Sequence, residues 1–102
     1  MAKVLSDTQI ASRLKKLKGW KREGDFLVRT LEFGHFMDVI AFINEIAEVA
    51  ERQEHHPDIN IRYTTVKLSV QTHDEGGITE MDFELARGID VVYEAVAREQ
   101  SS

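Results

Sequence analysis

Three of the chain's four histidines, His55, His56 and His73, lie within one short stretch. An imidazole titrates at about pH 6.5, so it can both release and accept a proton near neutrality. Positioned as a general acid or base, it contributes about 10²–10⁴ in rate. The chain has no cysteine, which removes disulfides, thiolate metal sites and cysteine nucleophiles. Histidines without a cysteine or a serine elbow suit proton transfer better than nucleophilic attack. They also suit a metal poorly, because adjacent histidines point about 100° apart on a helix or to opposite faces of a strand. Chelating pairs are spaced two or four residues apart, and no His-Glu-x-x-His run occurs. No metal is expected.

Other residues stand where they could serve these rings. Glu51 lies one helical turn before His55, and it either faces solvent or orients an imidazole. Asp82 is first a helix cap, yet it shares a helical line with Leu85, Ile89, Tyr93 and Val96 that turns its carboxylate toward a sheet. Thr72 alternates with Leu68 and Val70, which points it inward beside His73. The histidines have plainer readings too. His55 and His56 near a helix C-terminus favour its dipole, and His73 before Gly76-Gly77 is an ordinary surface position.

The elements that must position these groups follow from periodicity. Ser6-Asp7-Thr8-Gln9 matches a capping box, and Ile10, Leu14 and Leu17 repeat at helical spacing up to Gly19, which predicts a helix over 7–17. Residues 20–23 and 26–33 flank Gly24-Asp25 as a β-hairpin. Residues 35–53 carry the strongest helical pattern, with Phe36, Val39, Ile40, Ile43, Ile46, Ala47 and Ala50 as one stripe. Phe42 and Val49 fall on a different face, which suggests that this helix also meets another subunit. Pro57, the only proline, disfavours helix at His56. Residues 59–63 and then Val66, Leu68 and Val70 alternate as two strands. After a turn at 73–77, Thr79 and Asp82 form a second capping box, and the final helix turns Leu85, Ala86, Ile89, Val92, Tyr93 and Val96 inward. The expected fold is α+β, a two-layer sandwich in the order α-β-β-α-β-β-α. A four-stranded antiparallel sheet carries three helices on one face. The helix break at His55-His56 and the strand end at His73 can then converge at one edge of the sheet.

At 102 residues, the chain is expected to form a single domain over 1–102. Its apolar fraction of 42% and charged fraction of 30% are those of a soluble globular protein. The net charge of −5 lacks the basic footprint of phosphate-backbone binding, so no direct nucleic-acid partner is expected. Only residues 13–22 are locally basic, and they read as a solvated face. No apolar run reaches the roughly 20 residues of a membrane span. Met1–Asp7 lacks the apolar core of a secretory signal. The expected compartment is the cytoplasm, with no membrane partner.

The run Glu51-Arg52-Gln53-Glu54-His55-His56-Pro57, followed by Tyr63, Thr72-His73-Asp74, Gly76-Gly77-Ile78-Thr79 and Asp82, resembles the pterin-4a-carbinolamine dehydratase family. In that family an acidic residue precedes a His-His-Pro triplet by four positions. An aromatic residue, a histidine and an aspartate then follow at fixed offsets, all met here. Gly19-Trp20 also looks like the family, and the resemblance covers nearly the whole chain. It implies the αββαββα fold and a homodimer or homotetramer, with edge strands paired across the dimer and the long helix between dimers. It also implies loss of water from a 4a-hydroxytetrahydropterin to give the quinonoid dihydropterin, without redox cofactor or metal. By the same resemblance His56 is the main acid/base, while His55 and His73 hold the pterin and assist the second proton transfer. Glu51, Glu54, Thr72 and Asp82 complete a substrate-binding set. Two positions depart from the family: Ile59 stands where many members carry a tryptophan, removing an aromatic wall, and Glu54 replaces a shorter aspartate or asparagine. A non-catalytic dimerisation cofactor or an assembly chaperone of the same fold is the alternative. Retention of the three histidines and Glu51 favours the enzyme.

Overall fold

The computed structural model describes the backbone of residues 3–101 and the side chains of residues 3–98. Met1 and Ala2, where the N-terminal expectation begins, lie outside the described residues. The elements are α1 (Asp7–Leu14), β1 (Lys21–Glu23), β2 (Phe26–Glu32), α2 (Phe36–Gln53), β3 (Asp58–Arg62), β4 (Thr65–Val70) and α3 (Glu80–Ser101). Their order is the expected one. The sheet is antiparallel, in the order β1-β2-β4-β3. Leu27 pairs with Val70 and Leu31 with Val66, so Leu27, Leu31, Val66, Leu68 and Val70 gather on one face. These residues join Ile10 of α1, Phe42 and Ile46 of α2, and Phe83, Leu85 and Ile89 of α3 in one core cluster. The opposite face shows Thr30, Glu32 and Lys67 to solvent.

The capping box of α1 forms in both directions. The Ser6 hydroxyl accepts from the Gln9 amide at 3.2 Å, and the Gln9 side chain accepts from the Ser6 amide at 2.9 Å. The helix ends at Leu14, three residues short of the expected end. Tighter bonds take over, from Lys16 N–H to the Arg13 carbonyl and from Leu17 N–H to the Leu14 carbonyl, both 3.1 Å. Leu17 therefore stays buried outside the helix. Gly19, at φ +89°, then reverses the chain against Arg29. A β-carbon there would sit 2.8 Å from the Arg29 Nε.

The expected inner face of α2 needs correcting. Phe42 and Val49, assigned to a subunit contact, are core residues, 0% and 8% exposed. Phe36 and Ala47, assigned to the core stripe, are exposed. The reason is that α2 packs on the sheet and on α3 at once, which widens its buried arc beyond a single stripe. The Phe42 ring lies 5.1 Å from that of Phe33 and 6.1 Å from that of Tyr93. Val49 packs at Gly88 of α3, where a β-carbon would stand 2.8 Å from the Val49 Cγ1. Phe83, 0% exposed, is a core residue that the stripe expected for α3 did not contain.

Candidate active site

The site is built where α2 ends, β4 ends and α3 begins. Helix α2 terminates in a Schellman motif, three residues before Pro57. Glu54 takes the left-handed conformation (φ 52°, ψ 41°), its N–H bonds back to the carbonyls of Ala50 and Glu51, and the His55 N–H bonds to the Ala50 carbonyl at 3.0 Å. This cap usually falls to glycine. A side chain there costs about 1 kcal/mol or more, a strain that concentrates at functional sites. The cap folds the chain back on the helix end and turns the His55 ring inward.

There the ring meets Asp82. The Asp82 carboxylate is 0% exposed, and its Oδ1 lies 2.5 Å from the His55 Nε2. Its Oδ2 accepts from the Thr72 hydroxyl and from the Thr79 amide, each at 2.9 Å. Thr79 and Thr72 share a 2.6 Å hydroxyl contact, and the Thr79 Oγ1 accepts from the Met81 amide at 3.2 Å. Since the Thr72 proton goes to Asp82, the Thr79 hydroxyl donates to Thr72. A carboxylate only accepts, so the His55 Nε2 carries the proton and donates. The Nδ1 of that ring is the nitrogen left for chemistry. The buried group is thus fully paired, as buried polar networks must be to persist.

His56 is held differently. Its Nε2 bonds to the Glu51 Oε2, both side chains being more than half exposed. His73 begins a short 3₁₀ turn, His73–Glu75, which opens directly after β4 and Gln71-Thr72. Gln71 Nε2 approaches the His73 Nδ1 at 3.5 Å. The turn closes on Gly76 at φ +75°, and an antiparallel bridge between Thr72 and Gly77 ties it down.

These groups surround an open cavity of about 300 Å³ lined by Glu54, His55, His56, Gln71, Thr72, His73, Asp74, Glu75 and Met81. Ligand sites run from roughly 300 to 1,000 Å³, so the space suits one small flat molecule. The structure therefore brings together five of the residues singled out in the sequence: His55, His56, His73, Glu54 and Thr72. Asp82 is buried behind the wall and Glu51 lies on the exposed surface, each bonded to a histidine and neither part of the lining. Ile59, the departure expected to cost an aromatic wall, is not part of the lining. It sits on β3 opposite Leu68. Gln71, Asp74, Glu75 and Met81 line the cavity and were not picked out as site residues. The only sequence signal for them was their nearness to His73 and Asp82. Among the described residues, no three histidine or carboxylate side chains are grouped to hold a metal ion.

The sequence model for pterin 4 alpha carbinolamine dehydratase matches residues 3–92. The chain belongs to that family. It is 54% identical over 83 residues to a Thermomicrobium roseum protein named "Putative pterin-4-alpha-carbinolamine dehydratase", covering 81% of this chain and 89% of the relative. A protein of the same name from Nostoc sp. is 48% identical over 89 residues, covering 87% and 96%. Among solved structures, the transcriptional coactivator/pterin dehydratase from Brucella melitensis superposes with a TM-score of 0.84 at 28% identity, over 87% of this chain and 97% of its own. A pterin dehydratase-like RuBisCO assembly factor of the alpha-carboxysome superposes with a TM-score of 0.62 at 25% identity, over 72% and 88%. The two solved neighbours share this fold and carry names that state different roles. No helix among the described residues is long and apolar enough to cross a membrane.

Proposed function

We propose that the chain is a 4a-hydroxytetrahydropterin dehydratase. The observation that carries this reading is the set of three imidazoles on one cavity, two of them backed by carboxylates. The reaction must protonate the hydroxyl at C4a, break the C–O bond and remove a proton from the neighbouring ring nitrogen as the C=N bond forms. Water leaves, and no electrons are exchanged with any partner. His56, with Glu51 on its Nε2, delivers the proton to the departing hydroxyl. His55 presents its free Nδ1 to take up the second proton, and Asp82 stabilises the imidazolium that results. Asp82 and Glu51 are then positioning residues acting through their histidines. His73 and Glu54 hold the pterin, Glu54 by accepting from the N–H groups of its pyrimidine edge. The Thr72 hydroxyl, already donating to Asp82, serves the pterin only as an acceptor.

The test follows 4a-carbinolamine decay in a stopped hydroxylase reaction, with the wild-type chain and with His56→Ala. The variant is expected to be about 10²–10⁴ slower, the usual contribution of one general acid/base, with unchanged melting. Equal decay with both proteins would remove the assigned role.

The reading includes a homodimer or homotetramer. Support comes from the free edge of β3, whose five residues are all exposed. Ile59 and Ile61 are each 40% exposed beside Tyr63 at 73% and Phe36 at 44%. The rings of Tyr63 and Phe36 stack at 6.3 Å. An apolar strip along an open strand edge is a site for pairing with another chain. The same strip supports a second reading, a binding or assembly role without catalysis, in line with the name of the RuBisCO assembly factor.

A further inference from the structure

Charge on the cavity wall gives more information than the histidines alone. Besides the three imidazoles, the lining carries Glu54 from the end of α2 and Asp74 with Glu75 from the 3₁₀ turn. Among the described residues, no lysine or arginine lines the cavity, and none of these three carboxylates has an ion-pair partner. The backbone of Glu54 is fixed by its left-handed cap. The backbone that carries Asp74 and Glu75 is fixed by the bonds of the turn, Glu75 N–H to the Thr72 carbonyl and Gly76 N–H to the carbonyls of Thr72 and His73, all 3.1 Å.

Resting on the pterin reading of this cavity, we propose that Asp74 and Glu75 form a charge filter. The site takes reduced pterins whose 6-substituent is uncharged, such as a hydroxylated alkyl chain, and disfavours those whose substituent carries a carboxylate or phosphate. The cavity of about 300 Å³ is open and has Asp74 and Glu75 in its lining, so a 6-substituent carried beside the bicyclic ring lies near them. Two of the three lining carboxylates, Asp74 and Glu75, are neighbours on the 3₁₀ turn. A substituent bearing negative charge passes within about one Debye length of them, near 10 Å at 0.1 M salt. A few unscreened unit charges at that range in water and at the protein surface change binding by about two- to tenfold. Unlike a steric filter, this one weakens as salt rises.

The experiment compares two 4a-hydroxytetrahydropterins, one with a dihydroxypropyl and one with a carboxylate-bearing 6-substituent, at about 20 and 500 mM salt. Binding of the matching dihydropterins is measured in parallel by fluorescence. The expected ratio of kcat/KM, neutral over anionic, is about two- to tenfold at low salt and falls toward one at high salt. Asp74→Asn/Glu75→Gln is expected to lower the low-salt ratio and flatten its salt dependence. A ratio that ignores salt, or that the double variant leaves intact, overturns the filter while the dehydratase reading stands. Absence of turnover on both substrates overturns the dehydratase reading. In that case the salt-dependent binding ratio alone supports the filter, and its absence overturns it.

Discussion

Replacing Asp82 by Asn tests the inner half of the site, because the substitution keeps shape and removes charge. The carboxylate accepts three hydrogen bonds in a fully buried position, one from His55 and two through Oδ2. An asparagine can keep its oxygen toward Thr72 and Thr79, but it then turns an NH₂ toward the His55 Nε2. The charge-assisted bond is worth about 1.5–3 kcal/mol and a neutral replacement about 0.5–1.5, so the net loss is about 1–2 kcal/mol. For a domain of this size each kcal/mol lowers Tm by about 4–8 °C. The larger consequence is chemical. His55 must become an acceptor at Nε2 and carry its proton on Nδ1, which removes the basic nitrogen from the cavity. Turnover is expected to fall by about 10²–10⁴, the range of a lost general base. Nitrogen-15 NMR of the imidazoles reads the tautomer, thermal melting the stability and carbinolamine decay the rate. Glu51→Gln is the contrast. Its pair with His56 is exposed on both sides, so it is worth only about 0–1 kcal/mol, and melting should barely move. If Asp82→Asn lowers Tm but leaves both tautomer and rate as in the wild type, Asp82 is a cap and nothing more.

Two other outcomes follow from the packing. Gly88→Ala gains about 1 kcal/mol of helix propensity, but it drives a methyl against Val49 at the close α2–α3 contact, which costs about 1–3 kcal/mol. The variant should melt lower, and a higher Tm would show that the helices part without penalty. Ile61→Asp with Tyr63→Asp should dissociate the proposed oligomer, as read by light scattering against the wild-type chain, without unfolding the chain. An unchanged mass would place the contact elsewhere.

How much of this was legible in advance differs by element. Alternation in Val66, Leu68 and Val70 defined β4 because a strand's side chains have a period of two whatever packs on them. Ser6 and Gln9 marked the start of α1 because capping is local. The faces of α2 were misassigned because its burial is decided by two neighbours, α3 and the sheet, and no property of Phe42 or Val49 names those neighbours. The end of α1 slipped for a similar reason: tertiary burial of Leu17 survives a change from helix to turn.

The amino-acid sequence by itself determined the order of elements, the helix break before His56, and the presence of three imidazoles at fixed spacing, since each depends on short-range chemistry. Only the tertiary structure decided which groups meet. His55 and Asp82 are 27 positions apart and share one buried hydrogen bond. That partnership required the ends of α2 and β4 and the start of α3 to converge, and such convergence is a property of packing that no local pattern encodes.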